Sequence, residues 1–215
     1  MKDYLSINQK AYDVTAEEFQ SKIPIRQAST VKVVNIFSDF LNSHFQEQEL
    51  EILELGPGSG FVAKLLSDKG YKVNAIEFSL AMAELAQVTA PKTTLIVDEF
   101  LRHDFKDKTF AGIFAVAFIH LFPREDAEKV AMKIYELLAP NGIALISTTR
   151  HAISSEGYDV KHNFKNQQLR FRKQYTQSEF KALLENAQLA PIKFLHNPDP
   201  EVPGKHWMGY IVEKA

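Results

Sequence analysis

The densest chemical signal in this chain is Glu54-Leu55-Gly56-Pro57-Gly58-Ser59-Gly60. Glycines at alternate positions strip the side chains from one tight turn, so the backbone can reverse sharply and a ligand can come against its N–H groups. A plain structural turn has the same look. The ligand reading gains from the setting: strand-like Leu50–Leu55 comes before the turn, and helix-like Phe61–Lys69 follows it. Glu77 stands 21 residues after Gly56, near the spacing of an acid that accepts both hydroxyls of a ribose. A solvent-facing acid at a strand end is the plainer alternative. Asp98-Glu99-Phe100 closes a third apolar run; an acid there can accept from the amino group of an adenine, and Phe100 can lie on its ring. A polar loop with one buried aromatic fits the same residues.

Further groups stand at later strand ends. His120, in Phe118-Ile119-His120-Leu121-Phe122, follows the fourth apolar run and reads as a general acid or base, or as a packed histidine. Arg150 and His151 follow the fifth, the first as a substrate contact and the second as another proton carrier. Leu169-Arg170-Phe171-Arg172-Lys173-Gln174-Tyr175 places Arg170, Arg172 and Tyr175 as candidates for a substrate wall, since arginines can hold a carboxylate or phosphate. An alternating edge strand with solvated charges explains that stretch equally simply. His162 and His206 are weaker candidates. No histidine pair has the i, i+4 spacing of a helical metal site, and no metal is expected.

These groups need elements to hold them. Runs at Leu50–Leu55, Lys72–Ile76, Thr93–Val97, Phe110–Phe118 and Ile143–Thr148 read as strands. Phe61–Lys69, Ser79–Thr89 and Arg124–Leu138 read as the helices between them, with Ser79 as an N-cap and Pro140-Asn141-Gly142 as the last stop. Thr176 and Glu179 form a capping box for another helix, and Pro191–Leu195 and Trp207–Val212 are a closing strand pair. Residues 4–20 suggest a short or broken helix, and 28–45 a clearer one capped by Ser29 or Thr30. Alternating strands and amphipathic helices imply an α/β fold of right-handed parallel crossovers with helices on both faces of the sheet. The carboxyl ends of such strands, where the candidates fall, are where ligands bind. One domain is expected: an N-terminal helical lid over 1–45, a ligand-binding core over 46–149, a polar insertion or lid over 150–175, and a C-terminal helix and strand pair over 176–215.

The 215 residues carry 25 Lys plus Arg against 27 Asp plus Glu, and 45% are hydrophobic. That balance gives no general attraction to nucleic acid or to anionic membranes. The absence of cysteine removes disulfides, thiolate metal sites and a cysteine nucleophile. The chain starts without a signal-peptide pattern, and no run approaches the roughly 20 apolar residues of a membrane span. A cytoplasmic protein, monomer or homodimer, acting on a small molecule is the expectation.

Glu54-x-Gly56-x-Gly58-x-Gly60 resembles the first motif of class I S-adenosylmethionine-dependent methyltransferases, and Ile76-Glu77-Phe78-Ser79 resembles their second-strand motif. Phe110-Ala111-Gly112-Ile113-Phe114 and Leu137-Leu138-Ala139-Pro140-Asn141-Gly142 resemble two later ones. Ile7 to Ala16 is similar to the N-terminal segment that covers the cofactor in small-molecule members. Two positions depart: Ala111 stands where the family usually has Asp, and Asp98-Glu99 where it commonly has Gly-Asp. The resemblance implies a Rossmann-like doubly wound sheet of seven strands, the last antiparallel, and S-adenosylmethionine as cofactor with S-adenosylhomocysteine as product. It implies that Gly56 and Gly58, with Pro57 and Gly60, line the cofactor, that Glu54 helps hold its amino-acid end, and that Glu77, with Phe78, binds the ribose. Glu99 and Phe100 would hold the adenine, with Asp98 a rival by one residue; Tyr12 and Ala117 complete the set.

Methyl transfer is then an in-line displacement that needs alignment and exclusion of water, with His120 or His151 as base where the acceptor must lose a proton. A dinucleotide oxidoreductase shares the strand, turn and acid, but Phe61 occupies the place where its fingerprint ends in Gly or Ala. A non-catalytic cofactor-binding protein is a further alternative, given room by Ala111. A nucleic-acid methyltransferase is disfavoured by the charge balance and by Ala117-Phe118-Ile119-His120, which replaces an Asn/Asp-Pro-Pro-aromatic motif.

Overall fold

Apolar runs separated by amphipathic stretches become a seven-stranded sheet covered on both faces. The computed structural model describes residues 3–45, 49–160, 162 and 164–214. Lys161 and Asn163, inside the stretch read as an insertion, lie outside the described residues. Two helices lead, α1 (Asp3–Ser21) and α2 (Ile23–His44). The core follows as β1 (Glu51–Leu55), α3 (Phe61–Asp68), β2 (Lys72–Glu77), α4 (Leu80–Thr89), β3 (Thr94–Val97), β4 (Phe110–Val116), α5 (Arg124–Leu137) and β5 (Leu138–Arg150). A hairpin of β6 (Ser155–Val160) and β7 (Leu169–Gln174), then α6 (Gln177–Asn186), β8 (Leu189–Pro198) and β9 (His206–Lys214), complete the chain.

The strand order is β3-β2-β1-β4-β5-β9-β8. Strands β1 to β5 pair in parallel, while β9 slots between β5 and β8 antiparallel to both. The expected mixed sheet with an antiparallel last strand is therefore present. Strand order reverses between β1 and β4, so a crevice opens at their carboxyl ends. Leu53, Ile113 and Ile146 pack with α5 and α6 on one face. Ile52, Phe114 and Leu145 pack with α2 and α3 on the other. Alternate residues of a strand point to opposite faces, which is why neighbours in sequence feed different cores.

Three local expectations are corrected. The first helix runs unbroken to Ser21; the break falls after it, at Lys22, where Pro24 opens α2. Proline suits a helix's first turn because the N–H it lacks would have no partner there. Ser29 and Thr30 are therefore not caps: they lie inside α2, and the Ser29 hydroxyl donates to the Arg26 carbonyl. The fourth strand stops at Val116, two residues early, because Ala117 turns left-handed at φ 60°.

The stretch 150–175 stands partly at the surface, with Ser155, Glu156, Tyr158 and Asp159 of β6 exposed. Its hairpin packs under α1, burying Phe171 and leaving Arg170 and Lys173 each 4% exposed. Asn8 of α1 accepts from the Phe171 N–H at 2.8 Å, and Lys173 pairs with Glu179 of α6 at 2.8 Å.

Candidate active site

The glycine turn leaves β1 at the reversal point of the sheet. Gly60, at φ +84°, is the N-cap of α3, and a Cβ there would sit 2.7 Å from the Ala86 Cα of α4. Close helix–helix packing is thus met by Gly60 itself, and Phe61 is left to line a cavity. Glu77 ends β2 opposite this turn. Its Oε1 accepts the Phe78 and Ser79 N–H groups, each at 2.9 Å, and its Oε2 accepts the Gly58 N–H at 3.1 Å. One carboxylate thus ties the glycine turn to the start of α4. Burial pushes Glu77 up to about 7, against the opposing pull of those three donors.

Glu54 is a different case. It is 4% exposed on β1, and its Oε2 has no partner among the described residues. Burial and the nearby Glu77 carboxylate push it up to about 8. It stands behind the crevice and does not line it.

Past β3, Asp98 pairs with His103 at 2.9 Å and also accepts the Glu99 N–H. Glu99 is 7% exposed and accepts the Leu101 N–H at 2.9 Å. Lys133 of α5 holds this loop from below, donating to the Phe100 and His103 carbonyls at 2.7 Å each. Phe100 is buried, edge-on to Phe118 at 5.6 Å. These residues, the glycine turn and Glu77 enclose a cavity of about 260 Å³.

Helix α1 closes that cavity. Gln9 donates to the Phe78 carbonyl at 3.1 Å, and the Asp13 carboxylate accepts the Ser79 hydroxyl at 2.6 Å. Ser79 also caps α4 through the Met82 N–H. Tyr12 faces inward, stacked obliquely on Phe19 at 5.4 Å.

A second cavity of about 280 Å³ adjoins the first, and Tyr12, Phe19, Thr30, Val116 and Ala117 line both. Ala117, left-handed at the end of β4, lies where they meet. His120, 1% exposed in a 3-10 turn, lines the second cavity, and its Nδ1 lies 3.1 Å from the Thr148 Oγ1 of β5. Arg170 and Arg172 of β7 line it too, as do Trp207 and Asp199 from the β8–β9 end. Asp199 accepts the Trp207 indole N–H at 2.8 Å and pairs with Lys205 at 2.6 Å, so it is held well ionised at about 2.

The residues 52–142 match a family model described as a methyltransferase domain. An uncharacterized methyltransferase of Oceanobacillus iheyensis is 25% identical over 79% of this chain and 75% of its own length. The family model and this relative support a class I S-adenosylmethionine-dependent methyltransferase. A ubiquinone biosynthesis O-methyltransferase of Rickettsia typhi is 28% identical over 49% of the chain, but the match spans only 44% of that relative. A Burkholderia thailandensis 1,6-didemethyltoxoflavin-N1-methyltransferase, solved with S-adenosylhomocysteine, shares the fold at TM-score 0.66 and 20% identity, over 94% of this chain and 88% of its own.

This methyltransferase brings most of the sequence candidates together. Tyr12, Gly56, Pro57, Gly58, Glu77, Phe78, Asp98, Glu99, Phe100 and Ala117 all line the first cavity, and His120 and Arg172 the second. Gly60 lies just behind the turn, packed on α4. Three candidates fall elsewhere. Tyr175, 1% exposed, is packed against Phe180 of α6 with its hydroxyl unpartnered. Arg150 and His151 border an outer groove beside Thr176 and Lys181. Strand β5 runs on to Arg150, beyond the crevice, and so carries both past it. Sequence reasoning missed Asn8, Gln9 and Asp13 on α1 and Trp207 and Asp199 at the β8–β9 end. Their only signal was position, in a segment resembling a cofactor cover and in a proline-rich loop.

Proposed function

We propose that this methyltransferase acts on a small-molecule acceptor held in the second cavity, with S-adenosylmethionine in the first. The observation that carries the reading is the pair of cavities that meet at Ala117 and share the Tyr12 wall. Both are closed over by α1 and α2, and Glu201 of the β8–β9 end pairs with Lys22 at 3.0 Å and with Arg26. A volume of about 280 Å³ behind such a latch suits a small molecule rather than a polymer.

The residues present fit the cofactor. Glu77 spends three of its roughly four acceptor sites on backbone donors and keeps one, on Oε2, for a ribose hydroxyl. Glu54, raised to about 8, has a buried, unpartnered Oε2 behind the turn, and a cation with an ammonium end would draw it into its charged form. Glu99 and Phe100 border the remaining slot, where an adenine would lie; Asp98 is already engaged by His103. Bound S-adenosylmethionine supplies a methyl carbon activated by a positive sulfur and open to in-line displacement.

The chain's own residues then have three tasks. The Tyr12 and Phe19 walls exclude water where the cavities meet. The left-handed turn at Ala117 keeps only a methyl side chain at the junction, so acceptor and donor can approach. His120, whose Nδ1 is held 3.1 Å from the Thr148 hydroxyl, receives the acceptor's proton. Calorimetric titration with S-adenosylmethionine, followed by a release assay for S-adenosylhomocysteine with a cellular metabolite extract, tests the reading. Binding with product release on a low-mass fraction supports it; release only with macromolecular acceptors would refute it.

A further inference from the structure

The second cavity carries more positive charge than its own walls consume. Four basic residues line it (Arg26, Arg170, Arg172 and Lys205) against two acids, Asp199 and Glu201. Both acids are already matched. Asp199 pairs with Lys205 at 2.6 Å, and Glu201 pairs with Lys22 and Arg26. That leaves Arg170 and Arg172, two residues apart on one face of β7.

Neither arginine has an acidic partner among the described residues. Arg170, 4% exposed, donates from Nη1 to the Tyr12 hydroxyl at a long 3.4 Å, and its Nε is buried without a partner. The Arg172 guanidinium makes no hydrogen bond or ion pair among the described residues. Across the hairpin it faces Gly157, which offers no side chain, and Arg170 faces Asp159. Asp159 is exposed, accepts the Val160 N–H and pairs with neither guanidinium. Burial, with Arg170 beside it, pulls Arg172 down to about 10, against the opposing pull of Tyr12 and Asp159. Two guanidinium groups side by side, Arg170 buried and Arg172 partly so, with no ion pair and only the exposed Asp159 as an opposing charge, are costly to the folded chain. Such an arrangement is relieved by an anion that enters from outside, and the planar fork suits a carboxylate or phosphate.

We propose that the methyl acceptor carries an oxyanion, a carboxylate or a phosphate, clamped by Arg172 and Arg170. Its remaining body lies against the Trp207 ring, which Asp199 holds in place through the indole N–H. The anion sits on the β7 side of the cavity, and this fixes which end of the acceptor points towards Ala117 and His120. The inference rests on the acceptor reading given above.

The test uses the full chain and two readouts. In the first, thermal unfolding is followed at constant ionic strength in chloride, in inorganic phosphate and in benzoate, for the wild type and for Arg172→Met. Phosphate or benzoate raises the wild-type midpoint, and the variant loses that response. Without anion the variant melts higher than wild type, by about 2 °C or more, because an unpaired buried charge has been replaced by an apolar chain. A lower midpoint for Arg172→Met would make the arginine a structural residue and overturn the proposal; so would equal anion responses in the two proteins.

In the second readout, a metabolite extract is split on an anion exchanger, and release of S-adenosylhomocysteine is measured with each fraction. The retained fraction supports turnover, and Arg172→Met lowers it at least tenfold while affinity for S-adenosylmethionine stays within twofold. Alkaline phosphatase treatment of that fraction abolishes turnover for a phosphate ester and spares it for a carboxylate. Turnover confined to the unretained fraction overturns this inference alone. Release from neither fraction takes down the acceptor reading, and this inference with it.

Discussion

Replacing Glu77 by Gln perturbs the cofactor cavity at one atom. In the wild type, Oε1 accepts two N–H groups and Oε2 accepts that of Gly58. An amide has a single acceptor oxygen. If that oxygen stays on Phe78 and Ser79, the new NH₂ faces the Gly58 N–H, donor against donor. The ribose hydroxyl on that side also loses a charged acceptor, and a hydrogen bond to a charged group is worth about 1.5–3 kcal/mol. Affinity for S-adenosylmethionine therefore falls by about 10- to 150-fold. Titration calorimetry measures this directly, and the pH dependence gives a second, independent reading. Glu77 and Glu54 lie raised at about 7 and about 8 without cofactor, and a cationic ligand with ribose donors favours both carboxylates. Wild-type affinity accordingly falls as pH drops through these values, and binding near pH 7 releases protons. The sign follows from the free protein, where raised carboxyl values favour folding below about 4.5 and lose that advantage as pH rises towards 7 and 8. Titrations in two buffers of different ionisation enthalpy count the protons. In Glu77→Gln the count drops, leaving the Glu54 share. Affinity within threefold of wild type, with an unchanged proton count, would refute the reasoning.

His120→Asn lowers kcat by about 10²- to 10⁴-fold and removes the limb of the pH–rate profile that belongs to the base; a kcat within threefold makes His120 a packing residue. Gly60→Ala loses at least about 2 kcal/mol in urea unfolding, since a left-handed Cβ is strained and would meet the Ala86 backbone at 2.7 Å; a loss below about 0.5 kcal/mol would show that the turn relaxes freely. Tyr175→Phe keeps turnover and leaves stability equal or higher by up to about 1 kcal/mol, because it deletes a buried hydroxyl with no partner; a tenfold loss of turnover would return Tyr175 to the substrate site.

The α/β class, the glycine turn and Glu77 were legible because each depends on local order. A strand must precede the turn and a helix must follow it, and apolar periods of two and near 3.6 mark both. The helix caps at Ser79 and Thr176 were legible for the same reason: a cap bonds to a backbone N–H three residues on. The positions of Arg150, His151 and Tyr175 were not. All three stand close to the end of a strand, and the sequence is silent on how far that strand overshoots the crevice.

Taken alone, the sequence determined the donor half of the reaction. The glycine turn and Glu77 are separated by one βα unit, so chain connectivity brings them together at the strand ends. The second cavity, which we propose for the acceptor, was decided only in three dimensions. Its walls come from α1, β4, β7 and the β8–β9 end, segments spread along the chain from Tyr12 to Trp207, and no local pattern encodes their meeting. The arginines of β7 show the difference most clearly. Alternation along Leu169–Tyr175 fits an exposed edge strand as well as a binding wall. Packing of β7 against α1, with Asp199 and Glu201 already paired elsewhere, is what makes these two arginines candidates for an anion clamp.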